Sequence, residues 1–266
     1  MKVSDIFKML EARHYKKGYT PAAEQIALKI DNRVIGTIGN FVTFSGLAKA
    51  GKSTFISSTI ASAMHIDKNL YGISLRPSEE RETICYIDTE SSEYDFYKNL
   101  DKIKVQANIN ELPWNFNAYS VREDDPGTIR MLIEEYLKGF PRCSIMIIDG
   151  LLDINSNFND EIESKKTITW LKKITKIYNV LIIGVIHLAR KDQQLLGHFG
   201  SMLERYSQSV LEVRKDQETG ILQLFPKYLR SDKDFMPIAI NWVGNGFEKC
   251  MPPTPKQEYS SNKKSK

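Results

Sequence analysis

Residues 46–54 read Gly46-Leu47-Ala48-Lys49-Ala50-Gly51-Lys52-Ser53-Thr54. The first eight match the GxxxxGK[S/T] pattern of phosphate-binding loops. An apolar run at 41–44 precedes the motif, and residues 54–65 are expected to form a helix. A strand that leads through a glycine turn into a helix start directs backbone N–H groups and the positive end of the helix dipole at one place. We therefore predict that this stretch binds a triphosphate.

Within the motif, the residue types have separate tasks. Lys52 is expected to reach the β- and γ-phosphates, and Ser53 is expected to ligate Mg²⁺. Gly46 and Gly51 allow a close backbone approach that a Cβ atom would obstruct. We assign all nine residues of the stretch to nucleotide binding.

Length and composition limit the class of protein. The chain has 266 residues, of which 41% are hydrophobic, enough for one sizeable core. The three cysteines are widely spaced, which favours neither a disulfide framework nor a zinc site. No apolar run approaches the roughly 20 residues that span a bilayer, and the first residues lack a signal-peptide core. We expect a cytoplasmic protein with no membrane partner, and the net charge of +4 is too small to establish a nucleic-acid partner.

The order of apolar segments predicts an α/β fold. Helical patterns lie between the strand candidates and include 94–106, 128–137 and 161–178. The strand candidates themselves are 83–88, 116–120, 144–149 and 180–186. Such alternation predicts a mainly parallel, twisted sheet with helices on both faces. Three closely spaced strands, at 209–213, 221–225 and 238–243, predict an antiparallel C-terminal extension of that sheet.

Three regions are expected along the chain. Residues 1–34 mix a short amphipathic pattern with basic residues and form an N-terminal extension packed on the core. Residues 35–250 form the core domain. Residues 251–266, with three prolines and several lysines and serines, are too polar to pack and form a flexible basic tail.

Polar residues follow two of the predicted parallel strands, at the ends where ligands bind in open α/β sheets. Asp149 closes the apolar run 145–148, as in the Walker B pattern, and is expected to hold Mg²⁺ through water beside Ser53. Glu90 follows the strand at 83–88 and is the candidate base that polarises the attacking water. Asp88 is the alternative base, with Glu90 then a surface charge.

His187 ends the next predicted strand. It is a candidate to hydrogen-bond the γ-phosphate or to relay the loss of that phosphate to the following loop. A purely structural hydrogen-bonding role at the strand end is equally open.

These motifs resemble the RecA-like branch of P-loop ATPases, in particular the single-domain motors related to the RepA and DnaB replicative helicases. The resemblance covers about residues 35–242 and rests on SGLAKAGKST, YIDTE, IMIIDGLLDI and GVIHLAR. It implies a RecA-like P-loop NTPase fold, ATP and Mg²⁺ as cofactors, and an ATP hydrolase that acts on DNA as a helicase or replication motor. The segments IDGLLDINSNFND and GHFGS also resemble ATPases carried on bacterial mobile elements.

The resemblance further implies a homo-oligomer. Lys227 and Arg230 resemble the basic finger pair that ring-forming members extend to the γ-phosphate of a neighbouring subunit, where a cation neutralises charge on the transferred group. Two residues separate the pair here, whereas the family pattern has one, so the assignment of Lys227 is the weaker of the two. Solvated surface cations are the alternative interpretation.

In this family, two loops hold single-stranded DNA. The corresponding segments here are 153–160, rich in Asn and Asp, which favour turns, and 189–200, which contains Arg190 and Lys191. Five lysines on the helix at 161–178 are interpreted as a solvated face.

Two other functions stay open. In the first, the protein is an ATP-dependent assembly switch or accessory protein for transposition or mobilisation, without unwinding activity. The lack of a recognisable collar or primase domain favours this alternative. In the second, it is a small-molecule kinase, for which no arginine-rich lid segment is found.

Overall fold

The computed structural model describes residues 3–189, 194–244 and 246–253. In chain order its elements are α1 (Val3–Glu11), β1 (Ile26–Ile30), β2 (Arg33–Thr37), β3 (Phe41–Gly46), α2 (Lys52–Met64), β4 (Ile73–Leu75), β5 (Thr83–Asp88), α3 (Glu93–Ala107), β6 (Phe116–Ser120), α4 (Pro126–Gly139), β7 (Cys143–Asp149), a 3₁₀ helix (Leu151–Ile154), α5 (Glu161–Tyr178), β8 (Leu181–His187), α6 (Gly197–Tyr206), β9 (Ser209–Lys215), β10 (Leu222–Leu229), β11 (Ile238–Val243) and β12 (Gly246–Cys250).

Within these residues, the main sheet has the strand order β12-β11-β10-β9-β3-β8-β7-β5-β6. The six strands from β9 to β6 are mutually parallel. Strands β10, β11 and β12 continue the sheet in antiparallel fashion. The predicted α/β class, with a mainly parallel sheet, flanking helices and an antiparallel C-terminal extension, is confirmed. The helix over 161–178 and the strands at 83–88 and 116–120 have the predicted bounds.

The sheet is buried on both faces. Along β7, Ile145 and Ile147 join one hydrophobic cluster, whereas Met146 and Ile148 join the other. Successive residues of a strand point to opposite faces, so a strand covered on both sides is a continuous apolar run. Helices α2 and α3 contribute to the first cluster, and α4, α5 and α6 to the second.

A small antiparallel sheet, β2-β1-β4, was not foreseen from the sequence. Leu28 and Ile30 of β1 and Ile35 of β2 are fully buried in the first hydrophobic cluster. The expected boundary between residues 34 and 35 therefore lies inside β2.

The expectation that the N-terminal extension packs on the core is wrong for α1. Every side chain described over residues 3–26 is exposed, including Phe7 of α1. Of the expected tail, residues 254–266 lie outside the described part of the chain. Among the described helices, none has the length and apolarity required to cross a bilayer.

Arg81 joins the start of β7 to the carboxyl end of α5. Its guanidinium donates hydrogen bonds to the carbonyl oxygens of Pro141 and Cys143 around the start of β7. It also donates to the carbonyl oxygens of Tyr178 and Asn179 at the end of α5. One planar cation thus satisfies carbonyl groups that a helix end leaves without intrahelical partners.

We predict that Arg81→Lys lowers the free energy of unfolding by about 2 kcal/mol, because a single ammonium cannot reach carbonyls in so many directions. Urea denaturation measures the change. Arg122→Lys, at an exposed position, is the matched control. Equal stability of the two variants would contradict a stabilising role for the hydrogen bonds of Arg81.

Candidate active site

The parallel register brings the ends of four strands to one edge of the sheet. Gly46 at the end of β3 pairs with His187 at the end of β8, and Asp88 of β5 pairs with Asp149 of β7. Strands β7 and β8 are themselves adjacent. The carboxyl edge of the sheet therefore collects the polar residues that the sequence singled out.

The 46–53 loop connects β3 to α2 at this edge. A Cβ atom on Gly46 would lie 2.6 Å from the carbonyl oxygen of Val213, so no larger residue fits there without moving β9. Gly51 has φ of 92° and precedes Lys52, the first residue of α2. Ser53 is exposed in the first turn of α2, where a helix favours anions.

The other residues of the loop differ in exposure. Lys49 is exposed and has φ of 63°, in the left-handed region that non-glycine residues rarely adopt. Ala48 is also exposed, Leu47 and Thr54 are half-buried, and Ala50 is buried.

Lys52 is buried, with 6% of its surface exposed. Its Nζ lies 3.1 Å from the carbonyl oxygen of Gly46, 2.9 Å from that of Leu47 and 3.0 Å from Nδ1 of His187. An ammonium has three donors, so these three acceptors can use all of them. Burial lowers the pKa of Lys52, although the nearby carboxylates oppose this shift.

His187 links Lys52 to Glu90. Its Nε2 lies 3.2 Å from Oε2 of Glu90. Because the ammonium of Lys52 can only donate, a neutral His187 accepts at Nδ1 and carries its proton on Nε2, which donates to Glu90. This hydrogen bond is the main cause of a lowered pKa of Glu90. The result is a hydrogen-bonded chain from Lys52 through His187 to Glu90.

Two carboxylates share one phenol beside this chain. The hydroxyl of Tyr86 lies 3.1 Å from Oδ2 of Asp88 and 3.2 Å from Oδ2 of Asp149. Burial, followed by the charges of Asp88 and Glu90, raises the pKa of Asp149 to about 7. The edge therefore has an excess of negative charge, which a divalent cation would compensate.

The carboxylates of Asp88 and Glu90 differ in how accessible they are to water. Oδ1 of Asp88 accepts the N–H groups of Glu90 at 3.0 Å and Ser91 at 2.8 Å. Asp88 is also fully buried, whereas the side chain of Glu90 is 42% exposed. This arrangement favours Glu90 over Asp88 as a base, because only Glu90 is open to an approaching water.

The sequence interpretation missed two participants. Tyr86 stands two residues before Asp88, so the two share a face of β5, a periodicity that could have identified it. Asp153 accepts a 2.6 Å hydrogen bond from Oγ1 of Thr89, and burial raises the pKa of Asp153. These contacts hold the turns after β5 and β7 together.

The predicted finger residues lie away from this cluster within one chain. Leu229, next to Arg230, pairs with Ser209 at the start of β9, whereas the loop end of β3 pairs with Val213 near the end of β9. Nζ of Lys227 lies 2.7 Å from Oε1 of Glu204, and Arg230 is exposed. The intramolecular pairing weakens the assignment of Lys227.

Of the two loops expected to face DNA, the structure describes the first completely and the second in part. In the segment 153–160, Oδ1 of Asn155 accepts the N–H of Asn157 at 2.9 Å and Oδ1 of Asn157 accepts that of Asn159 at 3.1 Å, which are local contacts of a turn-forming segment. Residues 190–193 of the second loop, with Arg190 and Lys191, lie outside the described part of the chain. From residue 197, that segment continues as α6.

Comparison with known proteins gives no family for this chain: no protein-family model matches it, and no curated protein is significantly similar in sequence. Among the described residues, no group of three or more His, Cys, Asp and Glu side chains is arranged to hold a metal ion alone. Any cation at the carboxyl edge would thus need further ligands, such as phosphate oxygens, water or the Ser53 hydroxyl.

We predict that Asp149→Asn stabilises the nucleotide-free protein in EDTA. The folded-state pKa of Asp149, about 7, lies above the ordinary carboxyl value, so the folded form binds this proton more tightly than the unfolded chain does. Stability is therefore lost as the pH rises from about 4 to about 7. Asparagine cannot ionise and so avoids this loss. The free energy of unfolding of Asp149→Asn should therefore exceed that of the natural chain by about 2 to 4 kcal/mol near pH 8 and by less near pH 5.

Urea denaturation at the two pH values measures this difference. Asp124→Asn, at an exposed position, is the control and should change stability little at either pH. A gain for Asp149→Asn that does not depend on pH would show that ionisation of the buried carboxyl is not its cause.

Proposed function

We propose that the chain is a Mg·ATP-dependent ATPase of the RecA-like branch, which acts on DNA as a homo-oligomeric helicase, replication motor or mobilisation motor. The observation that carries the proposal is the hydrogen-bonded chain from Lys52 through His187 to Glu90, directly beside the 46–53 loop. It joins a lysine suited to phosphate, a polar strand end and a partly exposed carboxylate at the carboxyl edge of a parallel sheet, where ligands bind in such folds.

The residues present fit a magnesium-bound triphosphate. Ser53 offers an exposed hydroxyl at the start of α2, and Asp149 contributes a buried carboxyl group at the end of β7. Ser53 would ligate the ion directly, and Asp149 would hold it through water. When bound, Mg²⁺ neutralises charge on the β- and γ-phosphate oxygens.

Glu90 and Lys52 take the two remaining tasks. Lys52 exchanges its carbonyl and His187 acceptors for phosphate oxygens, which are stronger partners for an ammonium. Glu90 has a lowered pKa, is ionised at neutral pH and accepts hydrogen bonds, so it can orient and polarise the attacking water. His187, released from Lys52, would then be free to hydrogen-bond the γ-phosphate.

Hydrolysis in the assembly is proposed to require Arg230 from a neighbouring subunit. Arg230 is exposed, and the structure records no side-chain partner for it among the described residues. Because Arg230 lies away from the 46–53 loop of its own chain, a contact with the γ-phosphate would have to be made in a neighbouring subunit. The role of DNA rests on the resemblance of the motifs alone.

The chemistry is tested by Lys52→Ala and Glu90→Gln. We expect Lys52→Ala to abolish binding of ATP, and Glu90→Gln to retain binding but lose turnover by at least about 100-fold. Lys29→Ala, an exposed lysine of β1 outside the loop, is the control and should keep both. Unchanged turnover in Glu90→Gln would move the base to Asp88.

The proposed contribution of Arg230 to the site of a neighbouring subunit is tested by mixing two inactive variants. Arg230→Ala should retain ATP binding and lose turnover by about 10³-fold or more. Mixing it with Glu90→Gln should restore part of the turnover, because some interfaces then combine an intact Glu90 with an intact Arg230. No restoration, with both proteins assembled, would exclude a finger supplied by the neighbour.

Three readouts separate the functional alternatives. Turnover that rises with single-stranded DNA and more than linearly with protein concentration supports the motor. ATP-dependent assembly with negligible turnover favours the switch or accessory protein. Transfer of phosphate to a metabolite supports a kinase.

A further inference from the structure

Helix α5 carries a concentrated positive charge on its outer side. From residue 164 to its end at residue 178, the helix has five lysines and no acidic residue. All five are exposed, at positions 165, 166, 172, 173 and 176. The opposite side of α5, which includes Ile168, Leu171 and Ile174, is buried in the core. The charge is therefore held on a rigid, well-packed element.

The lysines form two stripes with different surroundings. At about 100° per residue, Lys165, Lys172 and Lys176 fall within roughly 40° of one another and extend over about 16 Å. Lys166 and Lys173 lie on the side of α4, where Lys166 is 3.9 Å from Glu163. The first stripe has no ion pair with a described acidic residue. Its charge is thus available to an external partner.

Helix α6 extends this stripe and adds an aromatic ring. Nζ of Lys172 lies 4.8 Å from the ring centre of Tyr206, which is 46% exposed at the end of α6. Arg205, next to it, is exposed as well. Glu204, the acidic side chain of this last turn, is paired with Lys227. The turn therefore adds a cation and a ring without free negative charge.

We infer that the α5–α6 face, defined by Lys165, Lys172, Lys176, Arg205 and Tyr206, binds single-stranded nucleic acid. A line of unpaired cations follows a phosphate backbone, and an exposed ring beside it stacks an unpaired base. A duplex, with its bases already stacked on one another, uses only the cations. The inference does not rest on the proposed ATPase, because the face shares no residue with the 46–53 loop.

The test is binding of a labelled oligothymidine to the full chain without nucleotide, by fluorescence anisotropy at several salt concentrations. Replacing Lys165, Lys172 and Lys176 together by Gln should weaken binding by about tenfold or more. It should also reduce the magnitude of the salt slope by about 2, at about 0.7 per lost phosphate contact. The corresponding triple replacement by Arg keeps the positive charge and should retain binding. This variant distinguishes an effect of charge from an effect of the substitutions on folding.

A matched control removes the same charge elsewhere. Lys29, Lys68 and Lys233 are likewise exposed but lie outside α5 and α6, and their triple replacement by Gln should leave affinity within about twofold. Equal loss in both triple variants would mean unspecific attraction and would overturn the inference. So would absent binding by the natural chain, or a preference for anionic phospholipid vesicles over the oligonucleotide.

The aromatic contribution has its own readout. Tyr206→Ala should lower affinity for oligothymidine roughly fivefold or more, and Tyr206→Phe should not, because stacking needs the ring alone. Lys52→Ala should bind the oligonucleotide normally. Failure of the ATPase proposal therefore leaves this result unchanged, and loss of binding in Lys52→Ala would contradict a separate face.

Discussion

The candidate site depends on the register of the parallel strands. Gly46 is aligned with His187, and Asp88 with Asp149, by main-chain hydrogen bonds between β3, β8, β7 and β5. Side chains alternate faces along a strand, so a slip of one residue in β8 would turn His187 to the other side of the sheet. The hydrogen-bonded chain between Lys52 and Glu90 would then be lost. The large apolar cores on both faces of the sheet hold this register in place.

Charge is concentrated at this edge at some cost to stability. Lys52 is buried with a lowered pKa, and Asp149 is buried beside other carboxylates with a raised one. Burial disfavours the charged form of each group, and this arrangement is typical of sites that bind ionic ligands. A structural role alone would be served better by apolar residues of similar size. Shifted pKa values and convergent polar groups thus point to the same place.

Much of the fold could be predicted because the central strands are continuous apolar runs that end in polar residues. β5 and β6 have the expected bounds, and the apolar run of β7 ends in the charged residue Asp149, as the sequence pattern indicates. The small sheet could not be predicted in this way. Its strands are short, Lys29 interrupts the apolar residues of β1, and β2 begins with the charged Arg33. Strand β12 carries the charged pair at 248–249 and gave no strand signal.

Contacts between side chains of different elements could not be predicted from the sequence either. Sequence patterns placed Glu90 and His187 at strand ends, but only their three-dimensional arrangement shows that they are linked to each other and to Lys52. The pairing of Lys227 with Glu204 joins residues of different elements, and no local pattern signals it. Tyr86 resembles an ordinary core aromatic until the two carboxylates beside its hydroxyl are seen.

Hydrogen exchange followed by mass spectrometry, with and without Mg·ATP, tests the central claim most directly. The account predicts slower exchange in peptides that cover residues 46–54, together with a smaller change around residues 88–91 and 185–189, since a bound triphosphate engages loop N–H groups. Lys52→Ala should remove the effect. Unchanged exchange over 46–54 at saturating nucleotide, or protection confined to another part of the chain, would contradict the account.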